Sequence, residues 1–296
     1  MDLFSPPCHN DRMSRFLDAL HSGRVLLMDG AMGTELQRAG IGEGECYEAW
    51  NLTHPDKVLA IHKAYVDAGA DVLLTNTFQA MPSVLSQHNL DGPPDEVVIL
   101  GLELAQNVAG AEGHVLLDFA PWPVPDDFYL LRNAVQHADA LLLETANDVG
   151  GWRQITAVCE HKPLLWSFTF RRDSSGNLTT ATGWTPQQCA GWATVLRLAA
   201  LGGNCGKDVS AKDMVEILQG YRSATDLPLF ARPNAGTPTK VDGRWVYPVT
   251  PKQMADAVPA MIEAGATMIG GCCGTTPAHI AAMRRAIDDW NARHGK

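Results

Sequence analysis

Eight short apolar runs punctuate the chain, at 25–29, 72–78, 115–120, 140–145, 164–170, 199–205, 228–233 and 268–272. Each has the length of an ordinary strand, and several are apolar throughout, as in a parallel sheet buried on both faces. Amphipathic stretches of helical length separate most of them. Within 56–69, apolar residues fall at Val58, Leu59, Ile61, Ala64, Tyr65 and Val66, a one-sided stripe. Thr185-Pro186, Thr250-Pro251 and Thr276-Pro277 each put a capping hydroxyl before a proline at the first helical position. They predict helices over 185–198, 252–264 and 278–293, and the pattern predicts another over 213–221. Strand and helix alternating over roughly 270 residues predict a single-domain α/β fold, the (β/α)8 TIM barrel. The rival is a doubly wound open sheet, but no Gly-x-Gly-x-x-Gly follows the first run. No internal repeat or domain boundary is visible. Residues 1–20 are set aside as an N-terminal extension and 21–296 as the barrel. Positions 1–15 are polar and irregular and lack the apolar core of a signal peptide.

Composition narrows the function. Lys and Arg number 23 against 33 Asp and Glu, a net charge of −10 over 296 residues. No basic cluster relieves it, so nucleic acid and anionic membrane are excluded as partners. No apolar run nears the length of a membrane span, and the expected location is cytoplasmic. The seven cysteines are Cys8, Cys46, Cys159, Cys189, Cys205, Cys272 and Cys273. An odd count without a secretion signal argues against a disulfide framework. Cys159 and Cys189 lie in helical patterns and read as small buried hydrophobes. Cys8 falls in a mobile tail, and Cys46 sits in a polar loop without an assigned role.

The remaining three thiols carry the chemistry. Cys272 and Cys273 lie among glycines in Gly270-Gly271-Cys272-Cys273-Gly274-Thr275-Thr276-Pro277, and Cys205 lies in Gly202-Gly203-Asn204-Cys205-Gly206. A (β/α)8 barrel has its active site at the C-terminal ends of the strands. Cys205 ends the sixth run and the Cys272-Cys273 pair the eighth. Asp29 ends the first, Thr75, Asn76 and Thr77 the second, Glu144 the fourth and Pro233-Asn234 the seventh. Because the runs were chosen on apolarity alone, this gathering on one rim is partly independent support. Three convergent thiols predict Zn2+ with one position open for substrate. A thiol entering there would be held as thiolate, which is what methylating a sulfur atom requires. Adjacent strand residues face opposite ways, so the backbone must bend at Cys272-Cys273, and the flanking glycines permit it.

Other rim residues fill in a pocket. Glu144 ends a buried apolar strand, where a lone carboxylate is costly, and it can hold the ammonium group of an amino acid. Asp29 sits in Met28-Asp29-Gly30-Ala31-Met32-Gly33-Thr34, where free amides near Gly30 and Ala31 can bind a carboxylate. His62 and His279 read as helical surface or packing residues. Trp122, Trp166, Trp184 and Trp245 can line a pocket for a cationic methyl donor, although buried core is the simpler reading for each.

These motifs resemble the homocysteine S-methyltransferase family. That family includes the homocysteine-binding module of cobalamin-dependent methionine synthase, betaine–homocysteine methyltransferase, and enzymes dependent on S-methylmethionine or S-adenosylmethionine. The resemblance runs from about Val25 to about Arg285 and is carried by the Asp29 and Cys272 motifs, Leu74-Thr75-Asn76-Thr77-Phe78, Leu143-Glu144-Thr145, Gly203-Asn204-Cys205 and Pro233-Asn234-Ala235-Gly236. It implies zinc on Cys205, Cys272 and Cys273, with L-homocysteine thiolate as fourth ligand. It also implies Glu144 on the amino group, Asp29, Thr75 and the amides around Gly30-Ala31 near the polar end of homocysteine, and Asn234 beside the metal. The product would be methionine. The methyl donor stays open among S-methylmethionine, S-adenosylmethionine, betaine, methylfolate and methylcobalamin types, and a homo-oligomer is allowed.

The chain also departs from that pattern. After the third strand relatives carry a Gly-Ser-x-Gly-Pro-like loop and a long stretch. Here Asp118-Phe119-Ala120-Pro121-Trp122-Pro123 leads quickly to Ala138, and the 206–210 loop is short as well. The homocysteine half looks intact and the donor half altered. Two alternatives follow: a methyltransferase of this fold with another thiol or a corrinoid protein as acceptor, or a non-catalytic barrel that binds zinc and thiols. A barrel lyase or isomerase is more distant, because no lysine or paired acid–base set stands out on the rim.

Overall fold

The computed structural model describes residues 9–42, 44–88, 94–121, 131–159, 161–241 and 244–294. The eight apolar runs are the eight parallel strands of one sheet. They are β1 (Leu26–Leu27), β2 (Val72–Leu74), β3 (His114–Phe119), β4 (Ala140–Ala146), β5 (Leu164–Phe168), β6 (Ala200–Asn204), β7 (Leu229–Arg232) and β8 (Ala266–Ile269). Strands β2 to β8 pair in succession and β8 pairs with β1. A single parallel bridge from Met28 to Val72 joins the ends into a (β/α)8 barrel.

Alternation along the strands sorts residues into two layers, as the pleat requires. Met28, Leu74, Leu116, Leu142, Leu165 and Phe230 fill the interior. Leu27, Leu73, Leu117, Leu143, Trp166 and Leu229 face the surrounding helices. Continued to the C-terminal rim, the interior positions are Asp118 on β3, Glu144 on β4, Asn204 on β6 and Arg232 on β7. The rim is therefore polar where the floor is apolar.

The helix starts follow the capping signals. Thr185 with Gln188, Ser210 with Asp213 and Thr250 with Gln253 form reciprocal capping boxes before Pro186–Val195, Ala211–Arg222 and Pro251–Glu263. At Pro277–His294 a histidine stands where the other starts carry Gln or Asp. His279 Nδ1 accepts from Thr276 N at 3.2 Å, and its Nε2 donates to the Val249 carbonyl at 2.9 Å. His279 and His62 are both buried, so neither is a surface residue.

Three elements depart from the sequence expectation. The opening segment is helical rather than irregular from His9 to His21. Its Phe16 and Leu20 pack into the barrel interior, and Arg12 pairs with Asp139 at 3.0 Å. A stripe this short nucleates no helix alone, and burial against the barrel floor supplies the missing stabilisation. Two small hairpins on the rim were also unforeseen, one pairing Arg171 and Arg172 with Leu178 and Thr179, the other pairing Thr239–Val241 with Arg244–Val246. Cys8 and Trp122 lie outside the described residues, as does part of the 118–138 stretch. Among the described residues no helix is long and apolar enough to cross a membrane.

Candidate functional site

β6 ends at Asn204, and the chain turns through two left-handed residues, Cys205 (φ 53°) and Gly206 (φ 97°). β8 ends at Ile269, so Cys272 and Cys273 occupy the turn beyond it. Cys272 N donates to the Pro233 carbonyl at 2.9 Å, and the Cys272 carbonyl accepts from Thr275 N and Oγ1 at 3.1 and 2.7 Å. Gly274 has φ 81°, and a Cβ there would lie 2.0 Å from Tyr247, so only glycine closes this turn. The bend required by the adjacent pair is thus built from the glycine frame.

The three sulfurs meet. Cys205 and Cys273 Sγ are 3.9 Å apart, Cys272 and Cys273 Sγ 4.0 Å, and all three lie within 4.8 Å of one another. Zn–S bonds of about 2.3 Å in a tetrahedron put sulfurs about 3.8 Å apart. The trio is therefore spaced like three corners of such a site, and thiolates suit a soft or borderline metal. Hydrogen bonds from Cys272, Cys273 and Asn234 pull the Cys205 thiol far down, to about 2, against burial. The same bonding, from the donor's side, holds Cys272 well up. Asn234 Nδ2 lies 3.5 Å from Cys205 Sγ and 3.3 Å from the Gly206 carbonyl. Asn204 Nδ2 lies 4.0 Å from Cys272 Sγ and donates to Thr145 Oγ1 at 2.8 Å.

Beside the thiols lies a buried charge cluster. Arg232 Nη1 donates to Glu144 Oε2 at 2.7 Å, and Nη2 donates to Asp29 Oδ1 at 3.1 Å. Asp29 Oδ2 accepts from Leu74 N at 2.8 Å. Asp118 stands within hydrogen-bonding reach of Glu144. Burial raises Asp29 to about 7 despite Arg232. Glu144 is raised by burial against the same guanidinium, and Asp118 is driven well up by burial and by Glu144. Three carboxyls facing one guanidinium cannot all ionise cheaply out of water.

Thiols and carboxyls line one cavity of about 430 Å3, together with Gly30, Ala31, Thr75, Arg232 and Tyr247. Asn234 reaches it only through Cys205. Two expected contacts are already engaged. Ala31 N donates to Thr275 Oγ1 at 3.1 Å, so Ala31 offers no free amide. Thr75 Oγ1 accepts from Asp118 N at 3.0 Å and pairs with Thr77 Oγ1 at 2.5 Å. Trp166 is fully buried core, Trp184 stacks on Trp192 at 6.1 Å, and neither lines the cavity. Trp245, 57% exposed, walls an adjoining groove with Tyr247, Thr34 and Gln37. Cys46 is buried beside Glu48 at 3.4 Å, and burial pushes its thiol up to about 11. Cys159 and Cys189 are core, as expected.

Sequence reasoning missed Asp118, Arg232 and Tyr247. Arg232 carried the signal that marked Glu144, a charge closing an apolar run, and Asp118 is a charge inside one. Tyr247 carried none, because it comes from the turn after a rim hairpin.

The barrel aligns with the metallated form of the homocysteine methyltransferase MmuM from Escherichia coli at a TM-score of 0.72, with 25% identity over 90% of this chain and 99% of that one. Methionine synthase of Mycobacterium tuberculosis is 31% identical over 308 residues, covering 92% of this chain. That of Mycobacterium leprae is 30% identical over 301 residues, covering 89%. The chain spans about a quarter of the length of these two relatives, 25% and 24%. The homocysteine S-methyltransferase family model matches residues 26–124 and 126–287. With the cysteine trio and its acidic neighbours meeting on the rim of this barrel, the chain belongs to the homocysteine S-methyltransferase family.

Proposed function

We propose that the protein is a zinc-dependent methyltransferase that converts L-homocysteine to methionine. The observation that carries this reading is the meeting of three thiols and an acidic cluster in one cavity of about 430 Å3, ample for an amino acid. Cys205, Cys272 and Cys273 would hold Zn2+, their donor set and spacing fitting it. Bound there, zinc supplies the Lewis acidity that keeps a substrate thiol deprotonated at neutral pH.

The side chains do the rest. Asn234 and Asn204 brace the cysteine sulfurs from the protein side. Arg232 fixes Glu144 and Asp29 in place, and Glu144 receives the ammonium group of homocysteine. Gly30 and Asp29 lie at the polar end of the substrate. The homocysteine sulfur forms a bond to the donor's methyl carbon while the bond from that carbon to its leaving atom breaks in line. A thiolate acceptor needs no general base in this step, and holding the partners in line lowers the entropic part of the barrier. The donor would approach along the groove between Tyr247 and Trp245. Free thiols at the site suit a reducing, cytoplasmic setting.

The test is methionine formation by zinc-loaded protein with homocysteine and a panel of S-methylmethionine, S-adenosylmethionine, betaine, dimethylsulfoniopropionate, methyltetrahydrofolate and methylcobalamin. One donor should support turnover, and Cys272→Ala should lose zinc and turnover together. Full turnover by that variant without metal would refute the assignment. Bound zinc and homocysteine without turnover on any small donor would point to a methyl group delivered on another protein.

A further inference from the structure

Asp118 is held firmly by its main chain, and one of its carboxyl oxygens is left without a partner among the described residues. Its main chain is clamped on both sides, Asp118 N donating to Thr75 Oγ1 at 3.0 Å and the Asp118 carbonyl accepting from Thr77 Oγ1 at 2.7 Å. As an interior position of β3, its side chain reaches the cavity. It is 4% exposed, and its Oδ1 has no partner among the described residues. Both Arg232 Nη atoms already serve Glu144 and Asp29, so Asp118 feels that guanidinium only through space. A buried carboxyl oxygen without a donor is costly and calls for an explanation.

What this corner lacks is a second cation whose N–H groups reach Asp118. A methylated sulfonium or quaternary ammonium has none to offer. A primary ammonium has three, enough to serve Glu144 and Asp118 at once. Among the described residues the only metal-competent group is the cysteine trio, so a metal ion does not account for the pair. Asp118 also opens the stretch in which the chain departs from its family's pattern. We infer that Asp118 and Glu144 together seat the substrate's ammonium group, restricting the acceptor to small thiols with a free α-amino group. This rests on the homocysteine reading and sharpens it. A thiol without that group leaves the Asp118 carboxyl unanswered beside Glu144 and is rejected for that reason.

The test is calorimetric binding of L-homocysteine and of 4-mercaptobutanoate, the same thiol acid without its amino group, to zinc-loaded protein. Wild type should favour homocysteine by roughly 100-fold, as hydrogen bonds to charged groups allow. Asp118→Asn, nearly isosteric, should cut that preference by about 10-fold through weaker homocysteine binding, with 4-mercaptobutanoate bound as well as before or better. Asp118→Ala, checked for zinc content and melting temperature, should behave alike. An unchanged preference, or equal weakening of both ligands, overturns the role of Asp118. Wild type that binds zinc but neither thiol overturns the homocysteine reading, and this inference with it.

Discussion

Arg232 is the only cation among the described residues that touches the buried carboxyls of Asp29 and Glu144. Removing it leaves those charges uncompensated out of water. Arg232→Met is expected to lose about 3–5 kcal/mol at pH 8. The sign of its pH dependence is fixed. A carboxyl whose folded pKa lies above its unfolded value binds a proton more tightly when folded, so stability rises as pH falls through that interval. The variant should therefore regain stability at pH 5, as urea midpoints at the two pH values will show. Equal loss at both would place the role of Arg232 in packing. The same residue shows why part of the site was hidden in the sequence. The cysteines stood out because glycines framed them, and Glu144 because it followed three leucines. Arg232 also closes an apolar run and Asp118 falls near the end of one, but a charge near a strand end is usually a solvated one. Only the alternation of interior and exterior positions, Leu116 to Asp118 and Phe230 to Arg232, turns them inward, and that phase is fixed by the closed barrel.

Among the elements, the helix His9–His21 is the informative one. It inserts Phe16 and Leu20 into the floor of the barrel, the end opposite the cysteines. The double variant Phe16→Ala, Leu20→Ala should lose at least about 5 kcal/mol in urea unfolding. The fraction that remains folded should bind zinc in the same ratio as wild type. A parallel loss of zinc would mean that floor and rim are coupled. At the helix starts, Thr250→Ala should cost about 1 kcal/mol, measured in the same way. Those starts were legible because Thr-Pro is a local signal. The N-terminal helix was not, because its reason for existing is a surface formed by strands distant in the chain. The strands themselves were legible down to their order, since most are buried on both faces and read as largely apolar runs.

For the whole molecule, two buried groups pull stability in opposite directions with pH. His62 is fully buried, and neither ring nitrogen has a partner among the described residues. Burial lowers its pKa from 6.5 to about 4. The unfolded chain then binds the extra proton first, so this group's contribution falls as pH drops from about 6.5 to 4, by up to about 3 kcal/mol. Asp29, raised to about 7, acts the other way over nearly the same window. His62→Leu should tilt the stability curve toward acid relative to wild type. A variant curve parallel to the wild-type one would show that His62 does not titrate in this window.

The packed floor also has a consequence for traffic. With Phe16 and Leu20 stoppering one end and leucine, methionine and phenylalanine side chains filling the interior, the barrel is a vessel with one mouth. Whatever reacts beside the cysteines must arrive and depart by the same opening. Visitors therefore queue: the one that sits deepest enters first and leaves last. Steady-state kinetics should show a compulsory order, and the second product should compete with the first substrate for the empty vessel.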